Sequence, residues 1–246
     1  ELAKLVPIRT FVDHGPSIES SEAADQLFAS YAAARSKGKH LVVKPGDKIP
    51  LAGADVTVVT SGGELIKKPL PGGGQKNPLC GSAERRDEDK TENARSVGFL
   101  LTFGKFRFID LGDLTWNKEL DLVCPENPIG TVDVYLTTHH GMNMSGPAAI
   151  VHALKPRVAI MNNGATKGGT PEAWMVIASS PGIEDMWQVH KAVKSDKNVP
   201  ESMIANVDDS PGHTGHWIKL SAKKDGSFTV TNSRNGENKT YAPRKN

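Results

Sequence analysis

Two stretches of the sequence, FRFIDLGD at 106–113 and VDVYLTTHHG at 132–141, decide the fold. Both are rich in the apolar and β-branched residues of buried strands. The first stops at Asp113, and the second stops at His139 and His140. Strands that end in carboxylates and imidazoles present metal ligands at one edge of a sheet. The pattern is typical of a metallo-hydrolase.

The set of metal ligands is incomplete in this sequence. A hydrolytic zinc site needs three or more protein ligands for each metal ion. No HxHxDH-type cluster occurs anywhere in the 246 residues. We therefore expect the chain to carry only the later part of a site.

Composition limits the remaining function classes. An apolar content of 37% over 246 residues is enough for the core of a single domain spanning 1–246. The net charge of +2 provides no broad attraction for nucleic acid, which stays possible without being indicated. No apolar run approaches the ~20 residues that span a bilayer, so no membrane partner is expected. The sequence opens on Glu1 without a methionine, and we expect a processed or truncated product.

The two cysteines, Cys80 and Cys124, lie in proline-containing contexts and have no CxxC partner. A single disulfide, as in an exported protein, and two unpaired thiols are both compatible with this spacing. A cysteine-based zinc knuckle is not expected. The compartment is undetermined from sequence, with an exported or periplasmic location favoured over the cytoplasm.

The rest of the chain alternates between strand and helix patterns. The spacing predicts a strand at 8–12, a helix from Ser17 or Ser20 to Gly38, strands at 41–43 and 55–60, and a hairpin of 97–103 with 106–109. Further along, it predicts a strand at 157–161 and a helix from Pro171 to about 180. Residues 61–93 lose periodicity and are interpreted as a long loop insertion, either solvated or forming a binding loop or lid.

Each candidate residue has a plainer interpretation. Asp113 can bind metal, or it can cap a helix that begins at Thr115. Adjacent histidines on an extended chain point to opposite sides, so His139 and His140 share a site only if the backbone turns, which we expect at Gly141. One imidazole can then bind metal while the other contacts an oxyanion. The alternative is two partly exposed loop histidines.

Several motifs that carry this chemistry occur in a fixed order. They are Asn93-Ala94-Arg95-Ser96, Gly112-Asp113 with Glu119, His139-His140-Gly141 followed by Ser145, and Lys155-Pro156 before a strand. In this order the chain resembles the ComEC-like branch of the metallo-β-lactamase superfamily over residues 93–164. The resemblance implies a four-layer αββα sandwich, N-terminally incomplete here because the HxHxDH segment is absent.

The resemblance also implies a chemistry. A complete protein of this family would hold zinc, two ions in the dinuclear form, with manganese or iron as alternatives. The activated water would attack a phosphodiester or other ester. By position, Asp113 would be the bridging carboxylate, His139 the late ligand, and His140 a competing ligand or catalytic oxyanion contact. This chain alone would be nearly inactive until a missing N-terminal segment or a second chain completes it.

Other residues are weaker candidates. His14 follows an early strand and either lines the pocket as a possible metal ligand or is a loop histidine. Asn162, Asn163 and Lys167 follow the 157–161 strand and either bind substrate or form an Asn-Gly turn. His213 and His216 form an HxxH pair in a loop. The alternative function is a non-catalytic binding module that kept the metallo-β-lactamase fold and lost its metal site.

Overall fold

The computed structural model describes residues 1–210, 212 and 214–245. Within them the helices are α1 (Leu2–Leu5), α2 (Glu22–Arg35), α3 (Trp116–Val123), α4 (Ala148–Leu154) and α5 (Pro171–Ala178). Short 3-10 helices occur at Pro78–Ser82, Glu92–Arg95, Thr138–Gly141 and Glu201–Met203. None of the described helices has both the length and the apolar character needed to cross a bilayer.

The strands follow the same chain order. They are β1 (Thr10–Asp13), β2 (Lys39–Val42), β3 (Lys48–Ile49), β4 (Asp55–Ser61), β5 (Glu64–Leu65), β6 (Gln75–Lys76), β7 (Gly98–Phe103), β8 (Phe106–Asp110), β9 (Glu126–Asn127), β10 (Val134–Leu136), β11 (Val158–Met161), β12 (Asp185–His190), β13 (Ile204–Asn206), β14 (Ile218–Ala222), β15 (Phe228–Asn232) and β16 (Asn238–Tyr241).

Nine strands form one mixed sheet in the order β13-β12-β11-β10-β8-β7-β4-β3, with β5 paired to β4. The strands β8, β10, β11, β12 and β13 run parallel to one another. On the other side of β8, the neighbouring strands in the sheet order β8, β7, β4 and β3 pair antiparallel. The predicted hairpin of β7 and β8 is confirmed, with Phe103 opposite Phe106. The carboxyl ends of the parallel strands therefore share one edge.

Alternation along the central strands gives the sheet two covered faces. Tyr135, Ala159 and Met161 belong to a core that includes residues of α3, α4 and α5. Val134 and Val158 face the other way, into a core shared with the small antiparallel sheet β14-β15-β16. The mixed α/β class is confirmed. The four-layer sandwich is not confirmed. The described residues form three layers, which are the helices, the large sheet and the small sheet.

The N-terminal unit stands beside this body. Strands β1 and β2 pair parallel in a sheet of their own, connected by α2. The helix begins later than predicted, because Ser21 rather than Ser17 or Ser20 accepts the capping hydrogen bond, from the Ala24 backbone N–H. No residue of α2 is buried, and Leu27 is 73% exposed. The hydrophobic spacing therefore predicted a helix correctly without a buried face.

The 61–93 segment is attached to the body at several points. Its first residue, Ser61, belongs to β4, and β6 pairs with β9. Cys80 forms a disulfide with Cys124, which settles the alternative between a disulfide and two thiols. The segment therefore contains little regular structure but has fixed ends and a covalent anchor.

Candidate functional site

Four of the predicted residues lie just past the carboxyl ends of three neighbouring parallel strands. Asp113 follows β8, His139 and His140 follow β10, and Asn162 follows β11. In an open α/β sheet this edge is where ligands bind. The structure therefore brings these four predicted residues to the same edge of the sheet.

The backbone turns sharply at the two histidines themselves. His139 has φ 52° and ψ 42°, and His140 has φ 58° and ψ 20°, so both are left-handed. This conformation costs an L-residue with a Cβ roughly 1–2 kcal/mol. The turn begins two residues before Gly141, where we expected it, and a hydrogen bond of 2.9 Å from His139 N to Gly112 O holds it against the end of β8. Strain of this kind accumulates at functional sites.

Hydrogen bonding fixes which nitrogen of each imidazole carries the proton. His140 Nδ1 lies 3.1 Å from the Asn162 carbonyl oxygen, which can only accept, so Nδ1 is the donor. His139 Nδ1 lies 3.2 Å from Ser145 Oγ, whose own hydroxyl donates to the Leu114 carbonyl at 2.6 Å. Ser145 must therefore accept from His139. In their neutral forms, both imidazoles keep a lone pair on Nε2, as metal-binding histidines do.

Asp113 faces one of these lone pairs. Its Oδ1 lies 3.4 Å from His140 Nε2, and its backbone N–H donates to Ser96 Oγ at 3.2 Å. A carboxylate and a neutral Nε2 are both acceptors, so their close approach is favourable only with a cation between them. Either a proton on His140 or a metal ion satisfies this requirement. Two ligands bound tetrahedrally at ~2.05 Å from one zinc ion would lie about 3.3 Å apart.

The described residues do not complete a metal centre. No group of three or more His, Cys, Asp or Glu side chains able to hold one ion occurs in residues 1–210, 212 and 214–245. The ring of His139 is 6.3 Å from that of His140, centroid to centroid. Asp113 and His140 thus fit two positions of a zinc site, and the predicted metal-binding group is not present as a whole.

The surroundings of His139 lower its pKa overall. Burial lowers its pKa, the Asp113 charge raises it, and His140 and Lys167 lower it further. Asp89 also raises the pKa of His139, as the smallest of these effects. The nearby Asp110 is itself affected, because burial raises its pKa.

Asp89 belongs to the segment interpreted as a solvated insertion, and local contacts explain its position. The guanidinium of Arg86 stacks 3.4 Å above the Trp116 ring and donates to the Asn143 carbonyl. Trp116 Nε1 donates to the Glu84 carbonyl at 2.9 Å. These contacts hold residues 84–89 over the start of α3 and over residues 138–146, which carry His139 and His140 and form the histidine loop. Residues 84–88 nevertheless remain exposed, so this part of the segment is attached to the body and solvated at the same time.

Glu119 supports the same loop from inside the core. Its side chain is fully buried, Oε2 accepts from the Gly146 backbone N–H at 2.5 Å, and Oε1 has no hydrogen-bond partner. Burial raises the pKa of this carboxyl to about 8, against the lowering effect of the Gly146 hydrogen bond. The carboxyl is therefore protonated at neutral pH. The sequence gives one indication that Glu119 points into the core, because it lies on the same side of the amphipathic helix α3 as Leu122 and Val123.

The predicted substrate-binding residues separate into two groups. Asn162 supplies the carbonyl that orients His140, and its Oδ1 accepts from Thr137 Oγ1 at 3.3 Å. Lys167 is exposed and near enough to influence His139. Asn163 is only 2% exposed, and its amide donates to the His190 carbonyl at 2.8 Å. The contacts of Asn163 are structural.

His14 has a partner of its own. Its Nε2 lies 2.7 Å from Glu92 Oε2, and no hydrogen bond or ion pair joins it to the described residues of the histidine loop. The adjacent Asp13 accepts from Tyr31 at 2.7 Å and pairs with His40 at 2.9 Å. Although burial opposes it, these hydrogen bonds lower the pKa of Asp13 to about 2. The first histidine of the HxxH pair, at position 213, lies outside the described residues.

Comparison with known proteins adds little to this geometry. No family model matches the chain, and no curated protein matches it. Among solved structures, it is similar to a "putative metal-dependent hydrolase" from Parabacteroides distasonis. The two are 18% identical, the match covers 73% of this chain and 74% of that chain, and the TM-score is 0.35. A likeness at this level supports no statement about the activity of this chain.

Proposed function

We propose that this chain carries part of the catalytic centre of a metal-dependent hydrolase, with Asp113, His140 and His139 as its ligand side chains. The observation that carries the proposal is the 3.4 Å approach of Asp113 Oδ1 to His140 Nε2, with Nδ1 of His140 already donating to a carbonyl. Two acceptors held this way form half of a cation site. Zinc suits an imidazole and carboxylate pair, with manganese or iron as alternatives.

The remaining ligands must come from outside the described residues. A further N-terminal segment or a second chain would supply them and would give a dinuclear zinc site in the complete protein. Two protein ligands hold a catalytic zinc ion weakly, so this chain alone would be metal-poor and nearly inactive. The Cys80–Cys124 disulfide supports an exported or periplasmic location.

The chain's own groups have distinct tasks in such a centre. A bound metal ion would supply a hydroxide by lowering the pKa of its water. The Asn162 carbonyl and Ser145 hydroxyl hold the two imidazoles in the tautomer that leaves Nε2 free. Lys167 provides positive charge near His139, suited to the anionic oxygen of a phosphodiester or another ester.

The test measures metal content and hydrolysis together in the complete protein. Zinc is determined by elemental analysis, and hydrolysis is followed with bis(p-nitrophenyl) phosphate. D113N and H140N should each lower zinc content at least tenfold and abolish hydrolysis. Asparagine tolerates the left-handed backbone at 140, so H140N should fold. The control is D196N, a carboxylate that is 75% exposed. Full zinc content in both variants would contradict the proposal.

The second candidate function is a non-catalytic binding module. It is favoured by the absence of a three-member ligand group in the described part of the chain. In this case His140 would be protonated and paired with Asp113, and the complete protein would hold no zinc. Elemental analysis separates the two, because this second function predicts no zinc in the complete wild-type protein and no change in metal content in D113N.

A further inference from the structure

A cavity lies at the opposite edge of the large sheet from the histidine loop. Its lining includes Thr131, just before β10, and Lys155, just before β11, at the amino ends of strands whose carboxyl ends carry His139 and Asn162. Its volume is about 520 Å³. Pockets of a few hundred cubic ångströms are the size that holds small organic ligands.

The cavity wall is fixed at both sides. One side comes from residues 72–79, next to the disulfide between Cys80 and Cys124. The buried Asn77 side chain donates to the Ala149 carbonyl at 2.9 Å and to the Val123 carbonyl at 3.3 Å. These bonds hold the wall against α3 and α4. The cavity is thus built from anchored chain rather than from a free loop.

The charged side chains that line the cavity are all basic. Lys76, Lys155 and His152 line it, and no aspartate or glutamate does. Within the described residues neither lysine has an ion pair, and both are exposed at the rim. The carbonyls at the end of α4 are already occupied, since Asn127 Nδ2 donates to Ala153 O at 3.0 Å and Val132 N donates to Leu154 O at 2.9 Å.

We propose that this cavity binds a small organic anion, a carboxylate or phosphate monoester carried on an apolar body. Lys76 and Lys155 would pair with the anionic group at the rim. Leu79, Pro78 and Ala153 offer apolar surface to the body of the ligand. Ligand sites of this type combine an apolar lining with a few polar groups that fix orientation. The inference does not depend on the hydrolase proposal, because the two sites lie at opposite edges of the sheet.

Calorimetric titration of the disulfide-bonded protein with three probes tests the proposal. Phenyl phosphate and benzoate carry the two anionic groups on the same ring, and benzyl alcohol is their neutral counterpart. We expect saturable binding of at least one anion, no measurable binding of the alcohol, and weaker binding as salt rises from 50 to 200 mM. The anion that binds more tightly identifies the headgroup.

Substitutions assign the binding to the cavity. K76Q and K155N should each weaken binding of the anion at least threefold, and the double variant at least tenfold. Asparagine is chosen at 155 because that residue has φ 43°, which asparagine tolerates. K37Q, a change at an exposed lysine outside the cavity, should leave affinity unchanged. Absence of binding by both anions, equal binding of benzyl alcohol, or unchanged affinity in a folded K76Q variant would overturn the proposal.

Discussion

Replacing Glu119 with glutamine should change how stability depends on pH. The glutamine keeps a carbonyl oxygen to accept from the Gly146 N–H, but it cannot ionise. In the native protein this carboxyl is fully buried, with its pKa raised by burial to about 8, against an ordinary value of 4.5. Folding therefore favours the protonated form.

The sign and size of the effect follow from linkage. As pH rises from 4.5 to about 8, the unfolded chain loses this proton while the folded protein keeps it, so the free energy of unfolding falls. The loss is complete above the folded pKa and amounts to about 5 kcal/mol at ~1.36 kcal/mol per pKa unit. By pH 7 it amounts to about 3 kcal/mol. In E119Q this contribution to the pH dependence is absent.

Urea unfolding followed by circular dichroism, at pH values from 4 to 8 with the disulfide intact, measures the effect. Subtracting the E119Q profile from the wild-type profile removes the contributions of other titrating groups, such as Asp13. The difference should change by about 3 kcal/mol between pH 4 and pH 7. E172Q, at an exposed glutamate of α5, is the matched control and should follow wild type. Parallel profiles for wild type and E119Q would refute the reasoning.

Three further predictions concern the disulfide, the N-terminal ion pair and the histidine loop. The double variant C80A/C124A, which opens a loop with a sequence separation of 44, should lose about 4 kcal/mol of unfolding free energy, as measured in urea; an unchanged midpoint would contradict it. D13N should lose about 1–2 kcal/mol of unfolding free energy at pH 7 and nearly nothing at pH 2. The folded pKa of this carboxyl is depressed, so its ionised form stabilises the protein above the unfolded pKa, and this contribution is lost as pH falls through the folded pKa. An equal loss at both pH values would argue against the pairing of Asp13 with His40. G168A would place a Cβ 2.1 Å from the His140 carbonyl oxygen, so under the proposed function the zinc content of the complete protein should fall while circular dichroism stays native-like; retained zinc would contradict the prediction that this contact displaces His140.

Local patterns predicted the elements that depend on neighbouring residues. The Gly104-Lys105 pair identified the hairpin, and the strands that end before Asp113 and His139 were recognised from strand composition alone. The N-terminal helix was predicted, but with its first residue misplaced by a few positions, because several serines near its start could cap it equally well. Because the carboxyl ends of neighbouring parallel strands share one edge of a sheet, Asp113, His139 and Asn162 then lie along the same edge.

The remaining features depend on contacts between distant residues. Residues 84–89 are held beside the site by the stacking of Arg86 on Trp116 and by the hydrogen bond from Trp116 to Glu84, and no sequence pattern connects these positions. The tautomers of both histidines depend on Ser145 and on the Asn162 carbonyl, a backbone atom that carries no residue-specific signal. The cavity wall, which carries Lys76 and Lys155 and no carboxylate, likewise forms from segments about 50–80 positions apart.

The left-handed backbone at His139 and His140 has a consequence for evolution and design. Glycine at either position would relieve roughly 1–2 kcal/mol of conformational cost at the expense of the imidazole, so a stabilisation method that scores backbone conformation alone would remove both side chains. Consensus or computational stabilisation of this chain should therefore hold these two positions fixed. A homologue with glycine at position 140 would lack the imidazole that approaches Asp113, so its sequence alone would mark the loss of this pairing.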